Sequence, residues 1–168
     1  MDYSKYLVLY SGGVDSTYFI EREKSAKHLI HYSGNNKDLT SLARANANLL
    51  ERYLVVKELG SIGNTMDGET NKIHALYDAQ VLLDAGVHAV SHGMEGIVAC
   101  FNKDDIGTDF KAIEKIVQLA SSNFKILLPL LDVPAKKIRA ARKTSKLKAI
   151  SCMVSAGCGY CSKCKRGY

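Results

Sequence analysis

The chain has no stretch of about 18 uninterrupted apolar residues, the length a bilayer span needs. Its opening, MDYSKYLVLYSGG, lacks a basic region followed by a long apolar run and a small-residue cleavage site. A soluble, cytoplasmic protein is therefore expected. Neither G-x-x-x-x-G-K-[ST] nor G-x-G-x-x-G occurs, which argues against a kinase-like nucleotide switch and a dinucleotide-binding protein. There is no internal repeat, no low-complexity segment and no Ser/His/Asp arrangement. His74, on a helical pattern, and His92, at an expected strand end, read as structural. At 168 residues and 46% hydrophobic, the chain fits one domain with one continuous core.

What is present is uneven. The net charge is +6, but the cations are scattered until PAKKIRAARKTSKLK (134–148) gathers them. That run reads as the solvated face of a helix rather than a nucleic-acid surface, and its field would also favour an anionic small molecule. Of five cysteines, Cys100 stands alone and reads as a small buried hydrophobe. The other four crowd the C-terminus.

Apolar runs alternate with helical patterns. The reading places strands at 5–10, 28–33, 54–59, 88–93 and 125–130, and helices at 15–24, 39–53, 72–86, 109–122 and 134–145. Leu39, Leu42, Leu49 and Leu50 are expected on the inner side of the second helix. Irregular loops are expected at 60–71 and 94–108. This order predicts an α/β fold with a five-stranded, mainly parallel sheet covered by helices on both faces. Ligands of such sheets lie beyond the carboxyl ends of the strands, and that rim is where the first strand delivers SGGVDS (11–16).

Gly12 and Gly13 let a ligand approach the main chain, and successive N–H groups at a helix start present partial positive charge suited to phosphate. Ser11, Ser16 and Thr17 add hydroxyl donors. The alternative is a tight Gly-Gly turn with Asp15 or Ser16 capping the helix. The complete S-G-G-x-D-S after a first parallel strand resembles the pyrophosphate loop of the N-type ATP pyrophosphatases. That resemblance implies activation of a substrate oxygen by adenylation, with pyrophosphate leaving and a nucleophile then displacing AMP. It implies that Ser11, Gly12, Gly13, Val14, Asp15, Ser16 and Thr17 hold ATP, with Ser33 at the end of the second strand. Asp15 would order the loop or assist magnesium, and Asp15, Ser16 and Lys136 would be the catalytic set.

Cys152, Cys158, Cys161 and Cys164 are spaced C-x5-C-x2-C-x2-C. Four thiolates can close a tetrahedral structural zinc site; an iron–sulfur cluster or unligated thiols are the alternatives. The chain is thus divided into an ATP pyrophosphatase-type domain, 1–150, and a zinc-binding tail, 151–168, packed on it. SGGVDS near the start with SC…GCGYCSKCKR at the end resembles the 7-cyano-7-deazaguanine synthase family. The resemblance implies ATP-dependent conversion of 7-carboxy-7-deazaguanine by ammonia to the amide and then the nitrile. It also implies a homodimer with ATP, Mg2+ and Zn2+, and neither membrane nor nucleic acid as partner. ETN (69–71) stands where that family has G-R-N, and HGME (92–95) where a glycine and an acidic residue follow the fourth strand, so Asn71 and Glu95 are the expected substrate contacts. Asn71 could equally cap a helix, Glu95 could be a solvated loop carboxylate, and Lys136 could be a surface cation.

Overall fold

A computed structural model describes residues 1–33, 37–59, 70–102 and 107–150, with the backbone alone described for 70–74. The elements run β1 (Tyr6–Leu9), α1 (Val14–Arg22), β2 (His28–Ser33), α2 (Lys37–Leu49), β3 (Tyr53–Glu58), α3 (Thr70–Ser91), β4 (Gly96–Ala99), α4 (Phe110–Gln118), β5 (Lys125–Leu127) and α5 (Ala135–Arg142). The five strands form one sheet in the order β3-β2-β1-β4-β5, and every pairing is parallel. The α/β class, the strand number and the parallel sheet match the sequence expectation. No helix among the described residues is long and apolar enough to cross a membrane.

Alternation along the strands divides the core. Tyr6, Val8 and Tyr10 pack with Phe19 and Ile20 of α1, Ala43 and Ala47 of α2 and Ile138 of α5. Leu7 on the opposite face packs with Leu82 and Ala85 of α3 and with Ile113 and Val117 of α4. A central parallel strand covered on both faces has no polar side, and the four residues of β4 are all buried.

Three expectations are corrected. The residues 88–93 are not a strand; α3 continues through them. Gly86, which looks like a helix stop, instead marks close packing of α3 on α4, since a Cβ there would lie 2.8 Å from Val117 Cγ2. The helix ends at Gly93, whose φ of +67° is left-handed. There the N–H of Gly93 reaches Val90 O at 3.0 Å and that of Met94 reaches Ala89 O at 2.9 Å, the paired bonds of a Schellman stop. The fourth strand therefore lies at 96–99, inside the stretch expected to be irregular, and His92 ends a helix rather than a strand. On α2 the inner face is Ala43, Asn46 and Ala47, and Leu49 is 65% exposed.

Candidate functional site

Chain order reverses beside β1: β2 and β3 build the sheet to one side, and β4 and β5 to the other. Open α/β sheets bind ligands at such a reversal, beyond the carboxyl ends of the strands. Here that crevice receives residues 11–13 after β1 and Cys100 and Asn102 after β4. One position beyond the paired Leu9 and Ala99 come Tyr10 and Cys100, so both segments leave the sheet side by side.

The loop is shaped by its glycines and hydroxyls. Gly12 has φ +77°, and a Cβ on it would stand 3.2 Å from Leu39 O. Both the left-handed backbone and the approach of α2 therefore require glycine there. Gly13 is the N-cap of α1 and makes no side-chain cap bond. Its carbonyl accepts the N–H of Thr17 at 3.0 Å, the first rung of the helix. The first turn of a helix offers N–H groups that its own ladder does not use, and the macrodipole adds partial positive charge. The Ser11 hydroxyl accepts from Gly13 N–H at 3.1 Å and shares a proton with Ser16 Oγ at 3.0 Å. Ser16 Oγ in turn donates to Gly13 O at 3.4 Å. The result is a small ring of donors at the head of α1, with Ser11 exposed and Ser16 buried.

A buried polar layer holds this loop from beneath. Tyr10 and Thr17 are fully enclosed, at 1% and 0% exposure, and their hydroxyls meet at 3.2 Å. The Asn46 amide donates to Tyr10 Oη and to Lys148 O, each at 2.7 Å. Burial pushes the Tyr10 phenol up, against the effect of Thr17, Asn46 and Arg142. His31, also buried, faces the Tyr10 carbonyl through Nδ1 at 2.8 Å and the Thr40 hydroxyl through Nε2 at 2.9 Å. A carbonyl only accepts, so Nδ1 carries the proton and Nε2 accepts from Thr40. Burial holds the His31 pKa below its ordinary value, which favours this neutral tautomer. Ile150 N–H donates to Gly12 O at 3.3 Å, closing the loop from the C-terminal side.

The expected site residues fall into distinct places. Ser11, Gly12, Gly13, Val14, Asp15 and Ser16 come together at the rim, Val14 by its backbone only because its side chain lies in the core. Thr17 is fully buried behind the loop, with its N–H on Gly13 O and its hydroxyl against Tyr10 Oη. Ser33 ends β2 on the same rim, and its hydroxyl donates to Lys57 O at 3.2 Å. Asp15, in the first turn of α1, adds its charge to the effect of burial in raising the Cys100 thiol pKa. Asn71 lies in the first turn of α3. Glu95 precedes β4 and so lies at the amino edge, opposite the loop. There it pairs with Lys5 at 2.7 Å, and the structure does not bring it to the site. Lys136 is exposed in the first turn of α5. It lies six residues before Arg142, about 9 Å along the helix, and Arg142 is the α5 cation whose charge reaches Tyr10. Cys152, Cys158, Cys161 and Cys164 lie outside the described residues, and among the described residues no group of His, Cys, Asp and Glu could hold a metal ion.

Sequence reasoning missed Asn46 and His31. For Asn46 a signal existed, because it follows Leu42 by four and Leu39 by seven positions, on the inner stripe of α2. His31 sits in an apolar strand and carries no pattern of its own.

The loop suits a polyphosphate: a glycine backbone at a helix head, hydroxyls around it and a rigid polar floor, all at the crevice where the strand order reverses. No family model matches the chain, and no curated protein does. Solved structures do. The U34-tRNA thiolase NcsA from Methanococcus maripaludis, determined with its [4Fe-4S] cluster, superposes with a TM-score of 0.56 at 16% identity over 86% of this chain. A structure described as a predicted subunit of tRNA methyltransferase from Methanocaldococcus jannaschii superposes with a TM-score of 0.50 at 17% identity, also over 86%. This chain spans 57% of the first and 80% of the second. The chain shares its fold with both structures.

Proposed function

We propose that the protein is an ATP-dependent adenylating enzyme whose acceptor is 7-carboxy-7-deazaguanine and whose nucleophile is ammonia. The observation that carries the adenylating step is the loop: Gly12 at φ +77° and the Ser11–Ser16 hydroxyl pair stand at the head of α1. In this reading the carboxylate oxygen attacks the α-phosphorus of ATP. The bond to the β-phosphate breaks, and the negative charge developing on pyrophosphate falls on the exposed Ser11 hydroxyl and on the first-turn N–H groups of α1. Asp15, in the first turn of α1, would help to hold a magnesium ion, which would supply positive charge to the phosphates. Ammonia then attacks the acyl carbon and AMP leaves with the former carboxyl oxygen, giving the amide. A second adenylation, of the amide oxygen, followed by loss of AMP gives the nitrile.

The finer assignment rests on the joint occurrence of SGGVDS and the four-cysteine tail. The tail's C-x5-C-x2-C-x2-C spacing supplies the donor set of a closed zinc site. A variant that stops at the amide, or uses another amine, shares every step up to the first displacement. Incubation of purified protein with ATP, Mg2+, ammonia and the acid tests the proposal. Mass spectrometry should find the amide or nitrile with one pyrophosphate per adenylation, and an unconsumed acid overturns it.

Sulfur transfer to a tRNA base is the second reading, favoured by the likeness to a tRNA thiolase and by Cys100 beside Tyr10 at the crevice. Against it, burial and Asp15 keep the Cys100 thiol protonated, whereas sulfur chemistry proceeds through the thiolate. Metal content separates the two readings: a colourless protein with one zinc fits the first, and a brown protein with iron and sulfide fits the second.

A further inference from the structure

The formal charge of +6 conceals two oppositely charged parts. From Val133 to the end, 36 residues contain ten Lys and Arg and no Asp or Glu. The first 132 residues contain the other thirteen cations and all seventeen acids. A merely solvated helix face mixes both signs, and this one does not.

The structure describes residues 133–150 of that segment. Within α5 only Ile138 is buried, against the core shared with Tyr10 and Phe19. Lys136, Lys137, Lys143, Lys146 and Lys148 are all exposed. None of the five forms an ion pair among the described residues. Residues 147–150 are fastened to the rest of the fold. The Arg142 guanidinium donates to Leu147 O at 3.2 Å and to Ala149 O at 3.3 Å, folding residues 143–149 back onto the helix end. Asn46 holds Lys148 O, and Ile150 N–H holds Gly12 O. The chain that follows α5 therefore ends in hydrogen-bond contact with the backbone of the loop at Gly12.

We propose that this lysine-bearing segment docks the phosphodiester backbone of a nucleic acid, so that a nucleobase carried by the polymer is presented to the adenylating loop. It rests on the adenylating reading for the loop alone; what is presented is a base carried by the polymer, as in the tRNA acceptor considered above, in place of the free acid. Five exposed lysines with no ion pair among the described residues, on a segment whose main chain is held by Arg142 and Asn46, suit a row of phosphates, which bind through charge and release counterions. An anionic membrane is the poorer fit. A surface-lying helix inserts an apolar face, whereas the apolar face of α5 is spent on the core and Leu147 is 5% exposed.

The test is fluorescence anisotropy with a labelled tRNA transcript and, separately, a labelled 20-base-pair DNA duplex, from 50 to 200 mM salt. With five phosphate contacts the affinity should fall by about a few hundred-fold across that range. The variant combining Lys137→Gln, Lys143→Gln and Lys146→Gln should flatten the log–log slope by roughly two to three. All three positions are exposed and remote from the core, and binding of an ATP analogue should be unchanged. Preference for one probe over the other tells RNA from DNA. The proposal is overturned by no binding of either probe at 50 mM salt, by an unaltered slope in the triple variant, or by binding only to phosphatidylserine vesicles. These readouts need no turnover, so their failure is separate from failure of the acid to react.

Discussion

Replacing Gly12 by alanine probes the loop at its most constrained point. A left-handed backbone costs an L-residue about 1–2 kcal/mol. The new Cβ, 3.2 Å from Leu39 O, forces a shift of loop or helix worth about 1 kcal/mol. The lower entropy of the unfolded chain returns about 0.4–1 kcal/mol. The net loss is therefore about 2 kcal/mol, or a urea midpoint lowered by about 1 M for an m-value near 2 kcal/mol per M. Because the displaced atoms carry the phosphate donors, pyrophosphate release should fall by at least about tenfold, the equivalent of 1.4 kcal/mol in the barrier. Gly12→Asn tolerates positive φ better but keeps the crowding, so it should fall between alanine and the parent in stability. Urea denaturation with a coupled pyrophosphate assay reads both quantities. Parental stability within about 0.5 kcal/mol together with undiminished turnover in Gly12→Ala would refute the reasoning.

Three further outcomes follow from the layer beneath the loop. The folded pKa of His31 lies below its unfolded value, so the unfolded chain binds the extra proton. The contribution is intact above pH 6.5 and is lost as pH falls from there toward the folded pKa, by up to about 1.4 kcal/mol per pH unit. Denaturation at pH 8, 7, 6 and 5.5 should show a smaller loss for His31→Gln than for the parent, and equal losses would contradict it. Asn46→Ala removes the donors to Tyr10 Oη and Lys148 O. It should cost about 2–3 kcal/mol and raise hydrogen exchange at 147–150, where unchanged exchange would show that this segment is held otherwise. Cys100→Ser should leave pyrophosphate release within about threefold of the parent, since a protonated thiol is not the nucleophile; abolished turnover would favour sulfur transfer.

The sheet was legible because buried parallel strands are short, apolar and separated by helical periods, as KYLVLY and HLIHYS illustrate. The turn after β1 was legible because SGGVDS holds the glycines that a left-handed backbone at Gly12 needs. The misreading of 88–93 has a physical source. Gly86 resembles a stop, but its missing side chain serves the approach of α3 to Val117, while the true stop is Gly93. That error carried Glu95 to the wrong edge of the sheet. Residue type alone does not show that tertiary packing turns the Thr17 hydroxyl toward Tyr10. Asn46 and His31 act across long sequence separations on a backbone carbonyl or a phenol, and such partners leave no local pattern.

In the proposed reaction the loop at Ser11–Ser16 receives the pyrophosphate of ATP during cleavage at the α-phosphorus. Phosphorus NMR of the nucleotides formed with Mg2+, ammonia and 7-carboxy-7-deazaguanine tests it most directly. AMP and pyrophosphate in equal amounts, suppressed in Gly12→Ala, are the predicted result; ADP and inorganic phosphate would contradict it.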